Sequence, residues 1–391
     1  MNEDFLKYQA QTTPNPLGME ISHAKGSYIF DTEGGAHLDF VAGVSACGLG
    51  HCHPKVVEAI SDQVKKYMHV MVYGEYAQTP AIAYAKLLAE QLPSSLNTTY
   101  LVNSGTEAIE GALKLARRYT GRTEIIAAHN AYHGNTMGSL SLMDYEERKG
   151  PFRPLIPDVA FVHFNIELEL ERITQKTACV VLETVQGGAG FIMPKEGYLK
   201  KVKARCKEVG ALLILDEIQP GFGRTGTLFA FEQFECVPDI LVIGKAMASG
   251  LPVGAFTSSS KIMRSLQEKP KLGHITTFGG NPVIAAACLA TLKELLNSGL
   301  IPSTLEKEKL FRNLLVHSKI KAVRGKGLML ALILRNEEEA NQLVLQAKDK
   351  NLILFWLLFE PKAVRISPPL TISDDEIRKG CSIILAILNS L

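Results

Sequence analysis

Seven cysteines in 391 residues form no Cys-x-x-Cys pair. Their odd number and scatter exclude a disulfide framework and fit a reducing compartment such as the cytoplasm. An excess of one charge is also missing, since 42 Lys and Arg against 40 Asp and Glu leave a formal charge of +2. Charge this evenly mixed carries no electrostatic footprint for nucleic acid or an anionic membrane surface. The longest apolar runs, such as residues 211–215 and 352–359, fall short of the roughly 18 residues a spanning helix requires. The opening MNEDFLKYQAQ has no basic segment followed by an apolar one, so no signal peptide is expected. No internal repeat or low-complexity tract appears.

What is present is an enzyme-sized globular composition, 46% hydrophobic and 21% charged. The length exceeds one ordinary domain and predicts a large domain with a smaller companion. Short aliphatic and β-branched runs at 99–102, 124–128, 159–164, 178–182, 211–215, 240–243 and 253–257 alternate with helical patterns at 106–119 and 198–209. That alternation predicts an α/β fold with a mostly parallel sheet, and the lack of polar alternation in the runs predicts helices on both faces. Residues 281–296 read as a long helix with Pro282 in its first turn and Asn297, Ser298 and Gly299 as its stop. The expected division is an N-terminal segment 1–45 packing with the small domain, a large domain 46–295 and a small α/β domain 296–391. A hairpin of 28–31 with 37–40 cannot stand alone and must pack elsewhere. In the small domain, 327–334 and 352–359 are further short elements.

In an open α/β sheet, ligands bind beyond the carboxyl ends of the strands. Here ACVVLETVQGG ends a strand in Glu183, ALLILDEIQPG places Asp216 and Gln219 after the next, and ILVIGKAMASG places Lys245 after a third. Burying such charges without partners is costly, so three at one edge point to a ligand. Pyridoxal phosphate (PLP) chemistry asks for this set: a lysine amine to form an imine, and a carboxylate, here Asp216, to keep the pyridine nitrogen protonated. The cofactor's phosphate needs an anion cradle. LVNSGTEAIEGALKLA supplies strand, Ser104-Gly105-Thr106 turn and helix N-terminus in succession.

Two patterns are decoys. Residues 221–226 match Gly-x-Gly-x-x-Gly but follow Pro220, begin well past the strand and lead into no long helix, so a dinucleotide site is not expected. His51-Cys52-His53 has no second ligand cluster at zinc spacing, so a loop role ahead of a Pro54 helix is expected, with no metal site.

Together the stretches LLILDEIQPGFGRTG and IGKAMASGLPVGA, supported by GHCHP, NSGTEAIEGALKLAR, AYHGNT, TFGGNP, RGKGLM and RISPPL, resemble the class III PLP-dependent aminotransferases over residues 13–370. That family groups ornithine, acetylornithine and 4-aminobutyrate aminotransferases. The resemblance implies a fold type I transferase and a homodimer with active sites at the subunit interface. It implies Lys245 as the Schiff-base lysine, Asp216 on the pyridinium nitrogen, Gln219 on the phenolic oxygen, and Tyr132 and Ile218 on the two ring faces. Ser104, Gly105 and Thr106 match the phosphate loop, Glu183 belongs to the cofactor site, and Thr277 matches a threonine reaching the phosphate from the neighbouring subunit. Arg365 matches the arginine that holds a substrate carboxylate. The implied reaction is ping-pong transfer of an amino group from an amine or amino acid, an ω-amine or basic amino acid being favoured, to 2-oxoglutarate or pyruvate. An aminomutase or decarboxylase of the same fold would share Lys245 and Asp216, and a binding protein that has lost turnover would keep the fold.

Two positions depart from the family pattern. Where many ω-aminotransferases carry a glutamate that pairs with the carboxylate-binding arginine, this chain has Gly188. Where ornithine and acetylornithine enzymes commonly carry an arginine, it has Asn135. An unpaired Arg365 should bind 2-oxo acids well, since guanidinium and carboxylate match bidentately.

Overall fold

The apolar runs assemble into one seven-stranded sheet in the computed structural model, which describes residues 2–391. Its order is Thr98–Val102, Gly254–Ser258, Ile240–Gly244, Leu212–Asp216, Thr177–Glu183, Glu124–Ala128, Val159–Val162. Only Gly254–Ser258 runs antiparallel to its neighbours; the other pairings are parallel. The central strands Thr177–Glu183, Leu212–Asp216 and Ile240–Gly244 are buried at every residue, which is why no polar alternation marks them.

The two-residue period is still expressed in packing. Cys179, Val181 and Ile214 join the core under the Gly105–Thr120 helix, whereas Val180, Leu182 and Leu213 join the core that includes Val202 and Cys206 of the Tyr198–Val209 helix. Each such Leu, Ile or Val contributes roughly 1.5–3 kcal/mol by leaving water. The cysteines are free, and Cys179, Cys206 and Cys288 are packing residues.

Loop chemistry sets where the helices begin. Ser104 caps Gly105–Thr120 by accepting from the Glu107 amide at 3.3 Å, and Gly121 closes the helix in the left-handed region. Asn281 caps Pro282–Asn297 by accepting from the amides of Val283 and Ile284. The stop at 297–299 holds, and a second helix, Leu300–Leu314, starts immediately beyond it at 68° to the first. Among the described residues, no single helix is long and apolar enough to cross a membrane.

The hairpin Tyr28–Asp31 with Ala36–Asp39 forms, flanked by Ile21–Lys25, and its far edge pairs in parallel with Leu352–Ile353. The run 352–359, read as one element, divides instead between two sheets. Leu352–Ile353 extends the N-terminal hairpin, and Phe355–Trp356 pairs with Ala363–Ile366. Leu354 is buried between them. The third sheet, Ile320–Lys326, Met329–Leu334, Ala363–Ile366, Phe355–Trp356, places Arg365 on an inner strand, opposite Ala331 on one side and Phe355 on the other.

Candidate active site

A cavity of about 470 Å³ opens at the carboxyl ends of the central strands. Gly105, Thr106, Tyr132, Glu183, Asp216, Ile218, Gln219, Lys245 and Arg365 all line it, together with Asn135 and Gly188. Ser104 stands just behind, as the helix cap. Thr277 is exposed and does not line this cavity.

Asp216 ends its strand almost fully buried, and both its oxygens are fixed. Oδ1 accepts from the Ile218 amide at 2.9 Å, and Oδ2 is bonded to Nδ1 of His133 at 2.8 Å. His133 is also buried. Burial opposes its charge, but the bond to Asp216 and the charges of Asp216 and Glu183 prevail, and its pKa is raised.

Glu183 ties two loops together. Its Oε1 accepts from the Tyr132 amide at 3.1 Å and its Oε2 from the Gly187 amide at 2.8 Å. Desolvation pushes its pKa up to about 7, against the pull of His133. Glu217, next to Asp216, faces away and accepts from the amides of Ala230 and Phe231 at 2.9 and 2.7 Å. It too is desolvated and lifted to about 7.

Lys245 begins a short 3₁₀ turn with φ of 44°, a left-handed conformation costing an L-residue about 1 kcal/mol. Its amine has no hydrogen-bond or ion-pair partner among the described residues. Burial lowers its pKa, Asp216 and Glu183 pulling the other way and Arg365 adding to the depression. Arg365 is 5% exposed, with Nε and Nη1 buried and unpartnered, and desolvation lowers its pKa to about 10.

The helix start lies under Ile218. A Cβ on Gly105 would sit 2.8 Å from Ile218 Cδ1, so glycine permits this approach. The Thr106 hydroxyl lies 2.7 Å from those of both Thr136 and Ser139. Glu110 gathers the same loop: its Oε1 accepts from the Thr136 hydroxyl at 2.5 Å and from the amides of Gly138 and Ser139 at 2.8 and 3.0 Å. Tyr132 receives a 3.2 Å bond on its hydroxyl from Asn135, and burial raises its pKa. Gln219 reaches Ser45 only at 3.4 Å.

The glycine-rich run 221–226 forms turns without a following long helix. Its Arg224 is buried and donates to the carbonyls of Leu328 and Pro368, so the loop anchors neighbouring backbone. His51 pairs with Asp39 at 2.8 Å, and Pro54 opens the next helix. His53, at its N-cap, makes no side-chain cap bond.

Sequence reasoning passed over His133, Glu217, Glu110 and the wall of Val44, Phe355, Trp356 and Leu358. His133 stands beside Tyr132, which was a signal that its loop reaches the site, but its partner lies 83 positions away.

A lysine whose charged form is disfavoured by burial, in one cavity with fixed acids at a strand edge, is chemically suited to condense with a carbonyl. Fold and site thus define an amine–carbonyl enzyme of the doubly covered α/β kind. The chain belongs to the class III aminotransferase family, whose model matches residues 8–388. It is 38% identical to an acetylornithine aminotransferase of Methanopyrus kandleri, over 91% of this chain and 90% of that one. It is 37% identical to a putrescine aminotransferase of Pectobacterium atrosepticum, over 96% and 84%. The ornithine aminotransferase of Toxoplasma gondii superposes with a TM-score of 0.91 at 30% identity, over 99% of this chain and 94% of that one. The fold is therefore that of the fold type I transaminases. The protein is an aminotransferase that passes an amino group to a 2-oxo acid, and the family is PLP-dependent.

Proposed function

We propose that this cavity binds PLP and uses Lys245, Asp216 and Arg365 for ping-pong transfer of an amino group from an amine or amino acid to 2-oxoglutarate or pyruvate. The observation that carries this reading is the unpartnered Lys245 amine in one cavity with Asp216, whose outer oxygen is already held by buried His133. The residues fit the cofactor. The amides of Gly105 and Thr106, ahead of the capped Glu107, suit a phosphate dianion, Asp216 suits a protonated ring nitrogen, and Tyr132 and Ile218 suit the ring faces. Gln219, Glu183 and Ser104 complete its surroundings.

When bound, PLP supplies an aldehyde for amines and a ring that accepts the electrons left when a carbon loses its proton. The protein does the rest. Lys245 Nζ, once its amine is free, would take the proton from the donor carbon and deliver it two atoms away, to the carbon of the cofactor's former aldehyde, and its depressed pKa suits it to both roles. Arg365 holds the oxo acid's carboxylate. The amino donor favoured is an ω-amine or a basic amino acid, in keeping with the relatives named above.

Residues 46–295 serve as the PLP-binding domain and 296–391 as the small domain, with 1–45 joined to the latter through the pairing of Leu38 with Leu352. The working form is a homodimer. Thr277 is exposed beside Ile275 and Phe278, and Phe278 packs at a tilt against His69, next to the exposed Met68. This face would bring Thr277 to a second copy's phosphate site. Seven free thiols suit a cytoplasmic location.

The reading is tested on purified protein loaded with PLP. Borohydride should fix the cofactor on Lys245; in a separate, unreduced sample glutamate or ornithine should convert the cofactor to its amine form, and 2-oxoglutarate should restore the aldehyde form. A label recovered on another lysine would refute the assignment. Light scattering should find twice the 42.8 kDa chain mass, and a monomer with full activity would refute the shared site.

A further inference from the structure

The cavity holds a guanidinium that lies over the Phe191 ring at 5.6 Å and feels the charge of Glu183, yet keeps two N–H donors without a hydrogen-bond partner. Arg365 is 5% exposed, and its Nε and Nη1 have no partner. The two nearby acids are committed elsewhere: Glu183 to the amides of Tyr132 and Gly187, and Asp216 to His133 and the Ile218 amide. Gly188, on the same wall, could not carry an acid without displacing a ring. A Cβ there would lie 2.7 Å from Cδ2 and 2.9 Å from Cε2 of Phe359. The Phe359 amide donates to the Gly188 carbonyl at 2.9 Å, which holds the two backbones together, and the ring packs against Tyr145 at 5.6 Å.

We propose that Phe359, by filling the space beside Gly188, keeps Arg365 a carboxylate site in both halves of the reaction, so that the amino donor must itself carry a carboxylate. Donor and oxo acid occupy the same cavity in turn. A donor without an anion leaves Nε and Nη1 buried without a hydrogen-bond partner, and the side chains of Phe355, Trp356 and Leu358 on the same wall contain no acceptor to supply one. Amino acids are therefore substrates, while plain amines and diamines are rejected. This narrows the donor range proposed above and rests on the carboxylate role given there to Arg365.

The test is the half-reaction of the PLP-loaded enzyme with donors differing only by a carboxylate: ornithine and putrescine, lysine and cadaverine, alanine and ethylamine, with glutamate as reference. Within a reactive pair the amino acid should exceed its partner in kcat/KM by on the order of 100-fold or more. Arg365→Gln should collapse that ratio. Joint replacement Gly188→Glu with Phe359→Ala, which supplies both a counter-charge and room for it, should raise amine turnover relative to amino acid turnover. Reaction of glutamate with no carboxylate-free amine reacting also supports the proposal. If glutamate reacts while pairs agree within about tenfold, or Arg365→Gln leaves the ratio unchanged, this proposal alone is overturned. If no donor reacts at all, the transaminase reading falls with it.

Discussion

His133 Nδ1 and Asp216 Oδ2 lie 2.8 Å apart in the interior, joining a loop after one strand to the end of another. The contact orients the carboxylate proposed to face the cofactor's ring nitrogen and leaves the imidazole's Nε2 without a protein partner. A buried carboxylate held by one side chain and one amide has little freedom to turn, and that rigidity serves a group whose task is electrostatic. His133 acts through Asp216 and is a positioning residue.

Replacing His133 with Ala removes a donor to a buried acid, which costs about 1–3 kcal/mol. The expected outcome is weaker PLP retention on dialysis and a kcat reduced on the order of 10- to 100-fold, with the KM for the oxo acid little changed. His133→Asn, which can keep an N–H toward Oδ2, should recover part of the loss. Equal retention and turnover in His133→Ala and the unchanged enzyme would contradict the role.

Lys245→Ala removes the group proposed to move the proton, and general acid–base catalysis is worth roughly 10²–10⁴-fold. The variant should still bind PLP at the helix N-terminus but turn over at that much lower rate, and added small primary amines should restore part of it. Rescue that tracks amine basicity in a rate-against-pKa series supports the proton role. A variant with undiminished turnover would end it.

The strand ends were legible because wholly buried strands read as unbroken aliphatic runs, and a charge that closes such a run stands out. Glu183, Asp216 and Lys245 were found in this way, and the structure brings them to one cavity. Long-range pairing was not legible. Nothing in the local pattern of Tyr132-His133-Gly134 says which strand end the histidine meets, and nothing around Gly188 says that Phe359 backs it. The apparent unity of 352–359 misled for the same reason. Two short pairings to distant strands, with Leu38 and with Arg365 and Val364, divide it.

Glu110 offers a check on how the phosphate end and the ring end of the site are coupled. One oxygen accepts three donors from the 136–139 segment, next to Thr106 on its own helix. Glu110→Ala orphans two amides and should lower Tm by several degrees, in line with about 2–4 °C per kcal/mol for a large chain. Cofactor affinity should fall with it. Glu110→Gln, which keeps a carbonyl oxygen, should lie between. A normal Tm and PLP affinity in Glu110→Ala would separate the two ends.

His51 makes a pH-dependent contribution that can be read without substrate. Its Nε2 is 2.8 Å from Asp39, and that bond, with a further one to Cys47, outweighs burial and lifts its pKa to about 10 from 6.5. The folded state then holds a proton that the unfolded chain releases near pH 6.5, so stability falls as pH rises across 6.5–10. Below 6.5 the contribution is complete, and above 10 it is gone. Its upper limit is about 5 kcal/mol, at about 1.4 kcal/mol for each unit of pKa. Denaturant unfolding across this range should show the decline, and His51→Gln should flatten it while lowering stability most at pH 6–7. A parallel decline in both proteins would assign the slope to other groups and leave His51 neutral in its bond to Asp39.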